Sequence, residues 1–169
     1  MITFESANLR LRPFRESDFP FAFRMQSSEE IMHYIRAATS DESEVRARTD
    51  MWLSYAAQNP GYGVWIMELK TDHTVVGYGV VRHVEFTPGK EIEIGYIVAR
   101  EYWGKGFATE ASRAMIAYAE KQLGVQELVA YTSEENTGSN RVLEKCGFQR
   151  MGIERVYDAD CLRWWKRMG

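Results

Sequence analysis

The segment Glu91–Ala111, EIEIGYIVAREYWGKGFATEA, constrains this chain more than any other. Alternating residues through Val98 predict a strand, and the run from Phe107 has the period of an amphipathic helix. Between them lies the tight turn Trp103-Gly104-Lys105-Gly106. Its glycines supply a positive φ or let the backbone approach another group closely. A helix that follows such a turn points unpaired N–H groups and the positive end of its dipole back at it. Strand, glycine turn and helix in that order make a seat for phosphate or pyrophosphate. The simpler alternative is a strand–helix connection that needs glycine.

Spacing removes two owners of such a seat. A Walker loop places Lys after its second glycine, whereas Lys105 lies between Gly104 and Gly106. A dinucleotide fingerprint needs a small residue three positions after the second glycine, where this chain has Thr109.

Composition excludes further classes. A chain of 169 residues fits one domain over its whole length, 1–169, with a sizeable core. Net charge is −3, so no global basic footprint for nucleic acid exists. Arg163-Trp164-Trp165-Lys166-Arg167 does not change this, because strand alternation puts at least one tryptophan in the core. No apolar run approaches the roughly 20 residues needed to span a bilayer. The start, MITFESANLRLRPF, lacks a signal-peptide pattern, so a soluble cytoplasmic protein is expected. Cys146 and Cys161 form no framework and read as buried thiols in a reducing compartment. His33, His73 and His83 have no metal-ligand spacing, and no metal is expected.

Read in order, the chain opens with a short strand at Asn8–Arg12 and three helices. These are Asp18–Gln26, a short one capped within Ser27-Ser28-Glu29-Glu30, and Asp41–Gln58. Strands are predicted at Gly63–Leu69, Val75–Phe86 and Glu91–Val98, with Gly77 and Gly79 marking a bulge or close packing. Helix Phe107–Leu123, closed by Gly124, precedes a strand at Glu127–Thr132 and a helix at Asn136–Cys146. Phe148–Val156 and Cys161–Lys166 make a final strand pair. The result is an α+β fold with a mixed sheet of about seven strands. The crossover Glu91–Thr132 supplies its parallel pair.

The glycine turn resembles the pyrophosphate loop, Q/R-x-x-G-x-G/A, of the GCN5-related N-acetyltransferases (GNAT), with Glu101 in place of the first Gln or Arg. Its longer form, Tyr102 to Ala111, is similar to the RimJ/RimL-like branch. Asn136–Phe148, NTGSNRVLEKCGF, resembles that family's second block, one strand downstream. Leu9-Arg10-Leu11-Arg12-Pro13-Phe14 followed by Ser17-Asp18 is similar to its opening strand. The resemblance implies the GNAT fold, mostly antiparallel with helices on both faces and a parallel pair that splays at the cofactor site.

It also implies acetyl-CoA as cosubstrate and direct attack by a primary amine in a ternary complex. Backbone N–H groups of Trp103, Gly104, Lys105, Gly106, Phe107 and Ala108 would hold the pyrophosphate. Lys105 is either an added cation or a solvated charge. An N–H at Ile97 or Val98 would stabilise the oxyanion. Glu93 stands where many relatives carry a general base, and Glu91 shares its face by alternation. The usual thiolate-protonating Tyr of the second block is replaced by Leu143, which leaves Ser139 as the nearest hydrogen-bonding group. Asn136 would hold the pantetheine or cap a helix, and Asn140 and Arg141 would reach the cofactor's far end. The acceptor would be a peptide N-terminus, as in ribosomal-protein acetyltransferases, or a small amine such as a polyamine or aminoglycoside. A non-catalytic acyl-CoA sensor is the reading from another class. Family members often pair as dimers, which makes a homodimer one expectation, and for this chain neither a membrane nor a direct nucleic-acid partner is expected.

Overall fold

Alternation at Leu9 and Leu11 produces an inner strand with both side chains fully buried. The computed structural model describes residues 2–169. Its strands are β1 (Phe4–Glu5), β2 (Leu9–Pro13), β3 (Gly63–Leu69), β4 (Val75–His83), β5 (Ile92–Val98), β6 (Glu127–Thr132), β7 (Gln149–Val156) and β8 (Ala159–Arg167). They form a single sheet ordered β1-β2-β3-β4-β5-β6-β8-β7. Every pairing is antiparallel except β5 with β6. The sheet thus has one strand more than the seven expected. The addition is β1, whose two residues are too short to show alternation.

Helices α1 (Phe19–Gln26), α2 (Glu29–Met32) and α3 (Glu42–Gln58) follow β2, while α4 (Phe107–Leu123) and α5 (Thr137–Lys145) follow β5 and β6. On one face α4 buries Ala111, Met115 and Ala119 against Leu11, Ile94 and Leu128. On the other, Ala22 and Met25 of α1 and Trp52 of α3 pack with Ile66, Tyr78 and Val80. Helices on both faces therefore match the sequence expectation.

Local deviations have local causes. The strand predicted through Phe86 stops at His83, because Glu85 and Phe86 adopt left-handed φ values of 55° and 53°. The β7–β8 hairpin turns on Tyr157 and Asp158, with φ of 53° and 58°, so β8 begins two residues earlier than predicted. At Gly77 both expectations hold. The β3–β4 register shifts opposite it, and a Cβ there would lie 2.3 Å from the Ile97 carbonyl oxygen. The opening pattern also acquires a physical meaning. Buried Arg12 forks onto both carboxylate oxygens of Asp18 at 2.9 Å and reaches Glu68 at 3.1 Å, tying β2 to the start of α1.

Candidate active site

The parallel strands part almost as soon as they meet. Their register contains one residue pair, Glu93 with Val129, after which β5 runs on without a neighbour on that side. The Ala99 N–H bonds to the Val76 carbonyl at 2.8 Å, and the β4–β5 register is unbroken. Antiparallel alternation then turns the Ile97 N–H toward β4 and the Tyr96 and Val98 N–H groups into the gap. Of the two expected oxyanion donors, Val98 is the one with a free N–H direction.

The glycine turn completes this gap. Gly104 and Gly106 have φ of 75° and 81°, and a Cβ on either would meet no atom within 4 Å. Glycine is needed here for conformation, and the space above is open. The Trp103 N–H is engaged by the Arg100 carbonyl at 3.2 Å, and its ring Nε1 donates to the Val98 carbonyl at 2.7 Å. Helical bonding resumes with Glu110 N–H to Gly106 O at 3.0 Å. The N–H groups of Gly104 through Thr109 have no acceptor among the described residues. Among the N–H groups expected as donors, that of Trp103 is thus already engaged within the protein. Glu101, the departure from the loop pattern, pairs with Arg24 of α1.

A groove of about 800 Å³ runs over this turn. It brings together Tyr96, Ile97, Val98, Trp103, Gly104, Gly106, Phe107, Ala108, Asn136, Ser139 and Arg141. Lys105 is exposed beside the turn and outside the lining. Asn140 is also outside it. Its Oδ1 accepts from Thr132 Oγ1 at 2.6 Å and its Nδ2 donates to Glu134 O at 3.1 Å, so its amide ties α5 to the end of β6 and to the connection that follows it. Asn136 lines the groove and caps α5 through Oδ1, which accepts the Ser139 N–H at 3.2 Å, and no hydrogen bond engages its Nδ2 among the described residues. Leu143 is 1% exposed and serves the core. In its place Tyr96 reaches across from β5, its hydroxyl 2.8 Å from Ser139 Oγ. Burial pushes the Tyr96 pKa up to about 12, so the proton stays on this hydroxyl through the neutral range.

The opposite face of β5 opens into a pocket of about 230 Å³ containing Glu93. Glu93 is 3% exposed, and Arg82 Nε donates to its Oε1 at 2.7 Å. The Tyr157 hydroxyl donates to the same oxygen, and no hydrogen bond reaches Oε2 among the described residues. Arg82 lies between the rings of Phe86 and Tyr157, 4.2 and 5.1 Å from their centroids. Burial pulls its pKa down, but the charge of Glu93 and bonds to Glu93 and Tyr157 outweigh that and raise it. Glu91 lies outside this pocket. It precedes the strand and takes a two-pronged bond from Arg163, at 2.7 Å on each oxygen, which holds its pKa below the usual range. Tyr157 and Arg82 were missed in the sequence. The available signal was a bulky residue at a hairpin tip, which accepts a left-handed conformation only when its surroundings enforce it.

Tyr34, Ile35, Tyr96 and Ile97 line both cavities, so groove and pocket meet at the splay. A family profile described as the acetyltransferase (GNAT) domain matches residues 8–149. The chain belongs to the GNAT acetyltransferase family. Its N-acetyltransferase class and acetyl-CoA cosubstrate follow from that membership. It is 30% identical over 155 residues to an FsC-acetyl coenzyme A-N(2)-transacetylase of Aspergillus fumigatus, across 86% of this chain and 64% of that relative's length. An acetyltransferase of Agrobacterium tumefaciens has the same fold, with a TM-score of 0.86 at 23% identity, covering 99% of this chain and 95% of the other. RimL, a ribosomal-protein α-N-acetyltransferase in complex with coenzyme A, superposes with a TM-score of 0.81 at 16% identity, covering 99% and 98%. The GNAT fold expected from two sequence blocks is the fold observed. Among the described residues no cluster of three His, Cys, Asp or Glu could hold a metal ion, and no helix is long and apolar enough to cross a membrane.

Proposed function

We propose that this protein acetylates a primary amine from acetyl-CoA by direct attack in a ternary complex, in the manner of RimJ/RimL-type enzymes acting on a peptide N-terminus. The observation that carries this is the meeting of two cavities at Tyr96 and Ile97, with Glu93 on one side and Ser139 with Tyr96 on the other. Residues present fit the cosubstrate. Unpaired N–H groups from Gly104 through Ala108 suit a pyrophosphate, with Lys105 as a nearby cation. The free edge of β5 at Tyr96 and Val98 suits an amide-bearing chain such as pantetheine, joined by Asn136. Acetyl-CoA would supply the activated thioester.

The protein's own groups then handle the protons. An α-amine, with a reference pKa near ~8, is neutral at pH 7 far more often than a lysine at ~10.4. Glu93 takes the amine proton, directly or through a water on the pocket side, as the nitrogen–carbon bond forms. The Val98 N–H faces the carbonyl oxygen as charge grows on it. The Tyr96–Ser139 pair hydrogen-bonds the departing sulfur as the carbon–sulfur bond breaks and relays a solvent proton to it. A reducing cytoplasmic setting suits the two free thiols, Cys146 and Cys161.

The test is thiol release from acetyl-CoA with N-terminal peptides, polyamines and aminoglycosides, alongside thermal stabilisation by acetyl-CoA. Release with at least one amine is expected. Stabilisation without release from any amine would favour a sensor, and no stabilisation at millimolar acetyl-CoA would overturn the donor assignment.

A further inference from the structure

The pocket beside Glu93 has a marked excess of donors. Arg36, Arg48 and Arg82 line it, against Glu93 as the one carboxylate in the lining. Two of the arginines are engaged. Arg82 binds Glu93, and Arg48 gives Nη2 to Glu44 at 2.6 Å and Nη1 to Gln26 Oε1 at 2.7 Å. The Arg36 side chain has neither ion pair nor hydrogen bond among the described residues, its backbone N–H alone bonding to the Met32 carbonyl at 3.2 Å. Arg36 is an exposed residue at the rim of the pocket, where partial burial of its guanidinium and the charges of Arg48 and Arg82 lower its pKa.

Gln26 supplies a second, independent observation. It is 2% exposed and lines the same pocket. Arg48 can only donate, so the amide oxygen must face it, and Nε2 is the atom left over. That Nε2 lies beside Tyr78 and has no hydrogen-bond partner of good geometry. A buried donor satisfied only by a poorly aligned Tyr78 hydroxyl costs stability, and a better-placed acceptor atom would relieve it.

We infer that the acceptor is an anionic amine, whose carboxylate sits on Arg36 and the Gln26 amide while its amino group is presented to Glu93. This rests on the acyl-transfer reading and names its substrate class. The carboxylate belongs either to a free amino acid or to an acidic side chain at a peptide's N-terminal end. A guanidinium suits both through two parallel hydrogen bonds. Polyamines and aminoglycosides, with several positive charges, would meet Arg36 as a like charge.

Matched acceptors test it. One arm compares free amino acids with their amides. The other compares C-terminally amidated peptides that begin with Asp or Glu against those that begin with Asn or Gln. Thiol release and calorimetric binding are read for the native protein and for Arg36→Gln. The acidic member should be favoured in kcat/KM by about tenfold or more, equivalent to one good charged contact. Arg36→Gln should erase the preference through KM with kcat retained. The arm that shows the preference identifies the source of the carboxylate. Equal use of neutral isosteres, or a preference unchanged in Arg36→Gln, overturns the inference. If no amine releases thiol while acidic members still bind in an Arg36-dependent way, the transfer reading fails and the charge preference stands.

Discussion

The two faces of β5 are built by different means. On the groove side the free polar groups belong to the backbone: unpaired N–H groups in a glycine turn, a helix start and a strand edge left free by the splay. On the pocket side they belong to side chains carried by separate elements. Gln26 lies on α1, Arg36 after α2, Arg48 on α3, Arg82 on β4, Glu93 on β5 and Tyr157 at the β7–β8 turn. A backbone site is written in a short segment and is portable between relatives. A site assembled from distant side chains can change its ligand by single substitutions while the fold stays put.

The sharpest break of the comparison is Glu93→Gln. Turnover should fall about 10²–10⁴-fold at neutral pH, the range expected for a lost general base. It should recover in part at high pH, where more of the amine is neutral unaided. Removing the carboxylate also leaves Arg82 buried without its partner, so a stability loss of up to about 3–5 kcal/mol should appear in denaturant titration. Unchanged turnover would dismiss Glu93 as the base and leave it as the anchor of Arg82.

Tyr96→Phe tests the wall between the two cavities. Turnover should drop by about tenfold to a hundredfold, at the low end of acid–base effects, with acetyl-CoA affinity kept. In the native protein the hydroxyl remains protonated up to about pH 12. Its loss of a proton therefore adds no alkaline limb to the rate profile in the usual assay range. The linkage has a definite sign. With the folded pKa raised above the ordinary 10, this group's contribution to stability is full below 10 and is lost as pH climbs toward 12. A rate equal to the native one in Tyr96→Phe would leave Ser139 to act alone.

Gly106→Ala probes the groove by conformation only, since its Cβ would meet nothing within 4 Å. A left-handed alanine costs about 1–2 kcal/mol. If the turn relaxes to avoid it, the N–H groups rotate and coenzyme A affinity should fall about tenfold by calorimetry. Retained affinity would mean that the donors lie elsewhere.

The mildest effect belongs to Glu110, on the flank of α4 outside both faces of the comparison. Burial acts to raise its pKa, but hydrogen bonds from Ser6 and Asn8 outweigh it and the pKa is lowered. Its stabilising share is therefore present above the ordinary carboxylate range and is lost as pH falls through the depressed value. Glu110→Gln should cost about 1–2 kcal/mol at neutral pH and flatten the acid dependence of thermal stability. Catalysis should be unaffected.

The same division governs what could be read from the chain. Helix Phe107–Leu123 and strands Gly63–Leu69 and Glu127–Thr132 begin and end where periodicity, Gly124 and turn residues place them. β1 was illegible because two residues carry no period. The Ser139 position was visible in its block, but Tyr96, its hydroxyl partner, lies 43 residues upstream on another strand, and no local pattern joins them. Asn140 looked like a cofactor contact because it falls within a recognisable block. In the structure its amide is engaged at both ends, on Thr132 of β6 and on the Glu134 carbonyl of the connection that follows.

What the amino-acid sequence determined by itself is the α+β order and the glycine turn, since these depend on periods and φ preferences of neighbouring residues, while the kind of donor came from the resemblance of two blocks to the GNAT family. Only the tertiary structure decided which β5 amides face the gap, that Leu143 is core, and that Glu93 shares its pocket with Arg36, Arg48 and Arg82. The reason is physical. Backbone geometry is set within a few residues, whereas the charge and shape of a pocket come from side chains that only the packing of the sheet and helices brings together.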